Sequence, residues 1–586
     1  MKVLKLTLSI VAFFVVNIAS SQEVKIIHNV ADPTLANVDI WLKGGNKPLL
    51  DDFKFRQATR FLPISALGIT TPTNVTIGIA PANSTKYDDK LVEFTIRIDP
   101  SQSYYLIANG VRPNAGFTPN PDGISTAPEI LVIPAKRTSG DNTVHIRVLH
   151  GATDVPAVNI LNNKQTPPLI SNLKYKDFTP WTPLPASRYF LNIVPSSTPS
   201  SLLFTFEADL SQAEGAAILV YASGFLNPKA NNDPEEESYF TLMAALPDTL
   251  IELEPPYAYV QIVHNCADPA AKKVDLGLSL TNVPSFEEGR TENFEFRTAS
   301  EVIALPAMAP LTLRVYPAGG NTPVAEFKNI ELDPDEGYYI IASGVVNKSN
   351  FNTSVNSNID FTLTTYKGAR FEANNPQQVD LLVFHGCTDA PGVDVVVREN
   401  NQRIVSNLTY GKFNPYISVP PGKYTLQIRP AGTATTLAAY AADVSSLKGA
   451  AGLVIASGFL EPNRNQNGPA FGLFFIPPIG GPFIPLQLVT SVDPVLNKQF
   501  REGLSVYPNP ANNVIKLQYD LAAPRILYVK IYDLQGRLLK NVETSELVAG
   551  KGEIELEVED LPEGLYLWNA HVENTEIYNG KIQIKR

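Results

Sequence analysis

The sequence predicts an all-β protein: tandem Ig-like β-sandwich domains followed by a small C-terminal β-sandwich. Three observations carry this. Short runs of alternating apolar and polar residues, bounded by turn residues, recur along the whole chain. Proline is abundant, at 48 of 586 residues, and no long amphipathic helix pattern appears. One block of short strands occurs four times over, marked by histidines 122, 114 and 121 residues apart.

Each copy opens on a strand that ends in histidine: VKIIHNVADP (24–33), IRVLHGATDVP (146–156), VQIVHNCADP (260–269) and LLVFHGCTDAP (381–391). A second strand starts at Val38, Val158, Val274 and Val393. A third follows in VTIGIAPA, FLNIVPS, LTLRVYPAG and YTLQIRPAG. The copy then reaches YYLIANG (104–110), ILVYASG (218–224), YYIIASG (338–344) or LVIASG (453–458). Copies one and three share HN-x-ADP, whereas two and four share HG-x-TD-x-P. Corresponding histidines lie 236 and 235 residues apart, so a two-domain unit is read as duplicated whole. The expected boundaries are 22–137, 138–253, 254–376 and 377–490, then a linker at 491–501 and a last domain at 502–586.

Before the first copy lie Lys2 and Lys5, an apolar run from Leu6 to Ala19, and small residues up to Ser21. That layout predicts a secretory signal peptide over 1–21. The run falls short of the roughly 20 residues a membrane-spanning helix needs, and no other stretch is long and apolar enough. No transmembrane helix is expected after cleavage. The net charge of −11 argues against a nucleic-acid partner. The two cysteines, Cys266 and Cys387, occupy one repeat position filled elsewhere by Val30 and Ala152, which reads as a buried thiol.

The one polar constellation present four times is a histidine and an aspartate: His28 and Asp32, His150 and Asp154, His264 and Asp268, His385 and Asp389. Strand periodicity puts each histidine in phase with the core-facing residues before it, while Lys25, Arg147 and Gln261 point the other way. A buried imidazole needs hydrogen-bond partners. The expectation is structural: the aspartate accepts from the ring and from turn amides. The competing reading is a metal site, but one histidine and one carboxylate leave a zinc set incomplete. Polar loops follow the ASG-type signatures at 112–128, 227–238, 347–358 and 461–470. They are expected to be solvated connections, with sugar binding by their asparagines, or calcium binding by Asp233, Glu235, Glu236 and Glu237, as alternatives.

The His-x-x-x-Asp-x-Pro-x-Val-Asp-Val pattern, clearest at 385–395, resembles the DUF4397 family, an uncharacterised domain of extracellular bacterial proteins. The resemblance covers about 24–490 in four copies, the first and third departing from it by a proline directly after the aspartate. It implies no activity. The last domain carries Tyr507-Pro508-Asn509-Pro510, a turn with Asp533, Gly536 and Arg537, and a turn into a strand with Gly564 and Tyr566. In that order these resemble the type A sorting domain of type IX secretion. The resemblance implies the secretion machinery as partner, passage across the outer membrane, and release or surface attachment. Nucleophile-elbow, zinc-protease, phosphate-loop and dinucleotide motifs are not found. No catalytic residue and no cofactor are therefore expected. The leading expectation is a non-enzymatic binder, adhesin or scaffold with a glycan or surface protein as ligand. An accessory carbohydrate-binding or hydrolytic protein is the alternative.

Overall fold

The computed structural model describes residues 22–489 and 504–586, apart from Asn114, Asn282, Ala522, Ala523, Arg525, residues 534–536, Ala549 and residues 573–574. The expected signal peptide, the linker and Gly536 lie outside the described residues. The described residues are all β, with only short 3-10 turns between strands. Four sandwiches follow one another, each made of two sheets.

In the first sandwich the opening strand Glu23–Asn29 lies at the centre of one sheet. It pairs in parallel with the signature strand Tyr104–Asn109 and antiparallel with Leu62–Pro63. The facing sheet is built on the second strand, Asn37–Leu42, and the third, Thr73–Pro81. The same parallel pairing recurs in the later copies. Val144–Leu149 pairs with Ala217–Ser223, Tyr257–His264 with Gly337–Ser343, and Val379–His385 with Ala451–Ser457. The C-terminal domain is a separate pair of sheets, of three and four strands, with its own core around Ile515, Leu517, Ile531 and Trp568.

The face carrying Lys25, Arg147 and Gln261 does not look into solvent. Sandwiches one and two stack these sheets against each other, with Ile27, Tyr105 and Ile107 against Leu149, Leu219 and Tyr221. Sandwiches three and four repeat this with Val263, Tyr339 and Ile341 against Leu382, Phe384 and Ile455. The signature strands are thus buried on both faces, which explains their near-continuous apolar runs. Lys25 is fully buried and donates to Leu246 O at 2.7 Å across the interface. Burial lowers its pKa to about 8. Arg147 donates back to Pro134 O at 2.8 Å, and Gln261 to Pro477 O at 2.8 Å.

The alternation of HN and HG copies has the same origin. Asn29 reaches across the first pair and donates to Ala222 O at 3.2 Å, close to Gly151. Asn265 donates to Gly386 O at 3.0 Å in the second. A Cβ on Gly151 would come within 2.5 Å of Asn29 Nδ2, and one on Gly386 within 2.1 Å of Asn265 Nδ2. Arg56 and Arg297 lock the far end. Each bonds a serine of the partner's ASG signature, Ser223 at 3.2 Å and Ser457 at 3.1 Å. Each also lies over a partner ring, Tyr239 at 4.6 Å and Phe474 at 4.3 Å.

The pairs also meet end to end. The cores of the second and third sandwiches run into one another, and Arg188 spans the junction to Asp335 at 2.6 Å. The glycine at the pair interface gives a direct test. Gly386→Ala should lower thermal stability by about 1–3 kcal/mol, the usual cost of overpacking a tight contact. Adding Asn265→Ala should recover part of the loss. Additive losses in a double-mutant cycle by thermal unfolding would contradict the contact.

Candidate functional site

The four histidines and four aspartates are all buried and sit where the first strand turns toward the second. They do not bond each other, as the sequence reading had it. Each histidine ring instead binds a backbone carbonyl in the loop it overlooks. His28 Nε2 meets Leu35 O at 2.8 Å and His264 Nε2 meets Ala271 O at 2.8 Å. His150 meets Pro156 O at 3.0 Å and His385 meets Pro391 O at 3.1 Å. The Nε2–H donates in each. In the first and third copies Nδ1 accepts from the amide two residues on, Val30 or Cys266.

The aspartates take other partners. In copies one and three the carboxylate caps the short turn that follows, receiving Thr34 N at 3.0 Å or Ala270 N at 2.8 Å. In every copy the second role is to hold the loop after the signature strand. Asp32 is bonded by Arg112, Nε to carboxylate 2.8 Å, and Asp268 by Val346 N at 2.9 Å. Asp154 receives Leu226 N, Asn227 N and Asn231 Nδ2, and Asp389 receives Leu460 N, Glu461 N and Asn465 Nδ2. One carboxylate thus ties together two loops distant in sequence. Burial pulls Asp32 upward, but its bonds to Arg112 and Thr34 outweigh that and leave it lowered. Asp154 has only neutral donors, and burial leaves it raised.

A second recurring acid went unassigned in the sequence. Asp39, Asp275 and Asp394 stand in the second strand, with Asn159 at the same place. Each accepts the amide of a left-handed residue in the neighbouring strand: Asp52 at 3.0 Å, Asn293 at 2.7 Å, Asn407 at 2.7 Å, and Asn172 at 2.8 Å for Asn159. The signal was an acid between valine and a second aliphatic residue (Val38-Asp39-Ile40, Val274-Asp275-Leu276, Val393-Asp394-Val395), on a strand whose apolar neighbours reach the core.

The polar loops also differ from expectation. Those of the odd copies dock on their partners instead of projecting into solvent. Asn120 Nδ2 donates to Thr153 O at 2.9 Å, and Asn356 Nδ2 to Thr388 O at 2.8 Å. Thr118 N and Asn352 N donate to Asn231 and Asn465 of the facing loops. Phe117 stacks on Phe225 at 5.8 Å, and Phe351 on Phe459 at 5.6 Å. Asp233, offered above as a calcium ligand, is buried and accepts Ser238 N at 2.6 Å, while Glu236 pairs with Lys229. Among the described residues no group of three or more histidine, cysteine or acidic side chains is placed to hold a metal. Cys266 and Cys387 are free and buried, and burial pushes the Cys266 thiol up to about 12.

The C-terminal motifs each fix a turn. Asn509 clips the edge of its sheet to the last strand, donating to Lys581 O at 2.9 Å and accepting from Gln583 N at 2.9 Å. It is flanked by cis bonds before Pro508 and Pro510. Asp533 closes its hairpin by accepting Arg537 N at 2.8 Å and Arg537 Nε at 2.9 Å. Gly564 opens the strand in which buried Tyr566 returns its hydroxyl to Pro562 O at 2.6 Å.

Residues 505–585 match the family model of the secretion system C-terminal sorting domain. The chain is therefore exported by type IX secretion, to the cell surface or extracellular space, and the secretion machinery is a partner of this domain. No helix among the described residues is long and apolar enough to cross a membrane. The DUF4397 model, a domain of unknown function, matches 144–236 and 379–463, the second and fourth sandwiches. Comparison with curated proteins gives no match. Among solved structures, the TIE protein of Bacillus anthracis aligns at 11% identity, over 83% of this chain and 73% of its own, with a TM-score of 0.13. Dimeric latent PorU from Porphyromonas gingivalis aligns at 10% identity, over 59% of this chain and 35% of its own, at 0.13. A tetra-tandem repeat from the extending region of a large adhesion protein aligns at 10% identity, over 75% and 99%, at 0.12. Likeness at these scores carries no argument.

Burial holds His28 and His264 down to about 4, against 6.5 for a free imidazole. His150 and His385 shift the same way for the same reason. The neutral ring is favoured in the fold, so the unfolded chain takes up protons first. This stability is complete above pH 6.5 and is lost as pH falls toward 4, up to roughly 3 kcal/mol for each of the first two rings. Thermal unfolding between pH 7 and 4.5 should show the loss. A His264→Asn variant should be less stable at pH 7 but lose less on acidification, and an unchanged slope would contradict the assignment.

Proposed function

We propose that the exported chain is a non-enzymatic binding, adhesion or scaffold protein that acts as a stiff presenter of repeated domains. The observation that carries this is how the repeated polar residues are used. The histidines and aspartates present four times brace loops, and the asparagine loops cement one sandwich to the next. Repetition then supplies copies of a surface, and linked weak sites gain avidity without new contacts. The first and third sandwiches are read as diverged DUF4397 copies, supported by their shared parallel pairing and by the same histidine and aspartate positions. The sugar-binding alternative loses support where it was strongest, since Asn120, Asn231, Asn356 and Asn465 are engaged across the pairs.

The test compares attachment of cells exporting the full chain with cells exporting one pair, residues 254–376 and 377–490 removed. Binding to protein-coated and polysaccharide-coated surfaces should depend on the repeats. With one pair left it should fall well beyond twofold, as avidity is lost. Release of reducing sugar from the polysaccharide by the purified chain would overturn the reading in favour of a hydrolytic protein.

A further inference from the structure

The second sandwich carries an open cleft between its sheets. A cavity of about 560 Å³ lies between its two sheets, with Ile146, Val148 and Val220 on one wall and Ile160 and Leu191 on the other. It reaches the surface at the junction with the third sandwich, where Tyr257, Tyr259, Ala304 and Asp335 stand at its edge. The volume falls in the range of ligand pockets, about 300–1,000 Å³. Protein interiors otherwise pack as densely as organic crystals, and apolar walls held apart in this way forfeit contacts.

The other sandwiches show that the fold does not require a void. The equivalent space in the fourth, walled by Leu381, Val383, Val454, Val395 and Leu426, holds about 180 Å³, and that of the first about 30 Å³. One exchange of residues accounts for part of the difference. Where the second sandwich has Ile218 and Ala244, the strand registers place Gly452 and Phe475 in the fourth. The Phe475 ring lies directly over Gly452, so that a Cβ there would come within 2.4 Å of it. In the fourth sandwich a half-buried ring covers this position, and the second has only the Ala244 methyl there.

The rim is polar and acidic. Glu207, Asp209, Glu254 and Asp335 stand around it, and Arg188 engages Glu207 and Asp335 at 2.7 and 2.6 Å, whereas Glu252 turns to the other face of its strand, beside Arg56 and Tyr239. Four carboxylates against one guanidinium repel an anionic head group and favour a cationic or neutral one. Stacked sheets about 10 Å apart are normally filled by interdigitated side chains, so the room for one hydrocarbon chain is the opening of about 560 Å³ itself. We propose that the second sandwich binds a single-chain amphiphile, its hydrocarbon tail between the sheets and an uncharged or cationic head at the acidic rim. This site is separate from the residues that carry the adhesive reading, so either can fail alone.

The purified exported chain is titrated with the neutral fluorophore N-phenyl-1-naphthylamine. The dye is then displaced with monooleoylglycerol, oleylamine or oleate, each below its aggregation concentration. One dye site per chain is expected, with oleate displacing at least tenfold more weakly than the other two. Joint substitution Ile218→Gly and Ala244→Phe, the fourth sandwich's own pair, should weaken dye binding at least tenfold without lowering the melting temperature. Asp209→Asn with Glu254→Lys leaves the walls intact and should narrow the gap between oleate and oleylamine, which tests the rim even if the filled variant misfolds. Undiminished dye binding in a folded, filled variant, or no displacement by any of the three lipids, would overturn the proposal.

Discussion

Each central sheet of the four sandwiches is covered on both faces, and the rest of the structure follows from that constraint. A strand buried on one side only can send every second residue into water. Here the second side meets another sandwich, so any polar group on it has to find its partner in protein. Lys25, Arg147 and Gln261 each end on a carbonyl of the facing sandwich or its flanking segment. Leu382 needs no partner and packs in the same layer. Asn29 and Asn265 meet the carbonyls beside a glycine. The loops around this layer are drawn in as well, which is why asparagines that look solvent-facing in sequence are found bonded to backbone.

Much of this was legible. The short strands and the recurrence of the histidine-bearing segments follow from local patterns that sit within a few residues of each other. The histidines were rightly placed toward the core, because period two decides which face a strand residue takes. What periodicity does not say is what lies beyond that face. Lys25 looks like a solvent-facing residue until a second sheet is laid over it. The unbroken apolar signature strands were the available hint, since alternation fails where both faces are covered. The His–Asp bond was misjudged for a different reason. Four residues apart around a turn suggests contact, but each carboxylate is turned toward a loop some 70 to 80 residues further on, a distance no local pattern encodes.

The C-terminal domain shows the opposite situation. Its motifs are local turns, closed by contacts such as Asp533 to Arg537 and Tyr566 to Pro562. Short-range chemistry of that kind is readable directly, and the family match over 505–585 rests on the same stretch. The repeats carry their meaning in pairings between distant segments, so their sequence gives architecture sooner than function.

The asparagine and glycine at the pair interface also bear on how a chain of four similar domains avoids tangling. Neighbouring sandwiches of near-identical topology are prone to dock with the wrong copy while folding. Two odd copies brought face to face would set one asparagine amide against another where only a bare backbone fits. Two even copies would meet glycine to glycine, with a gap and unanswered carbonyls between them. Only an odd copy against an even one closes the layer. A single side chain, present in one copy and missing from the next, thus rules out like-with-like docking by shape, and the length of chain between neighbours has to select which odd copy meets which even one.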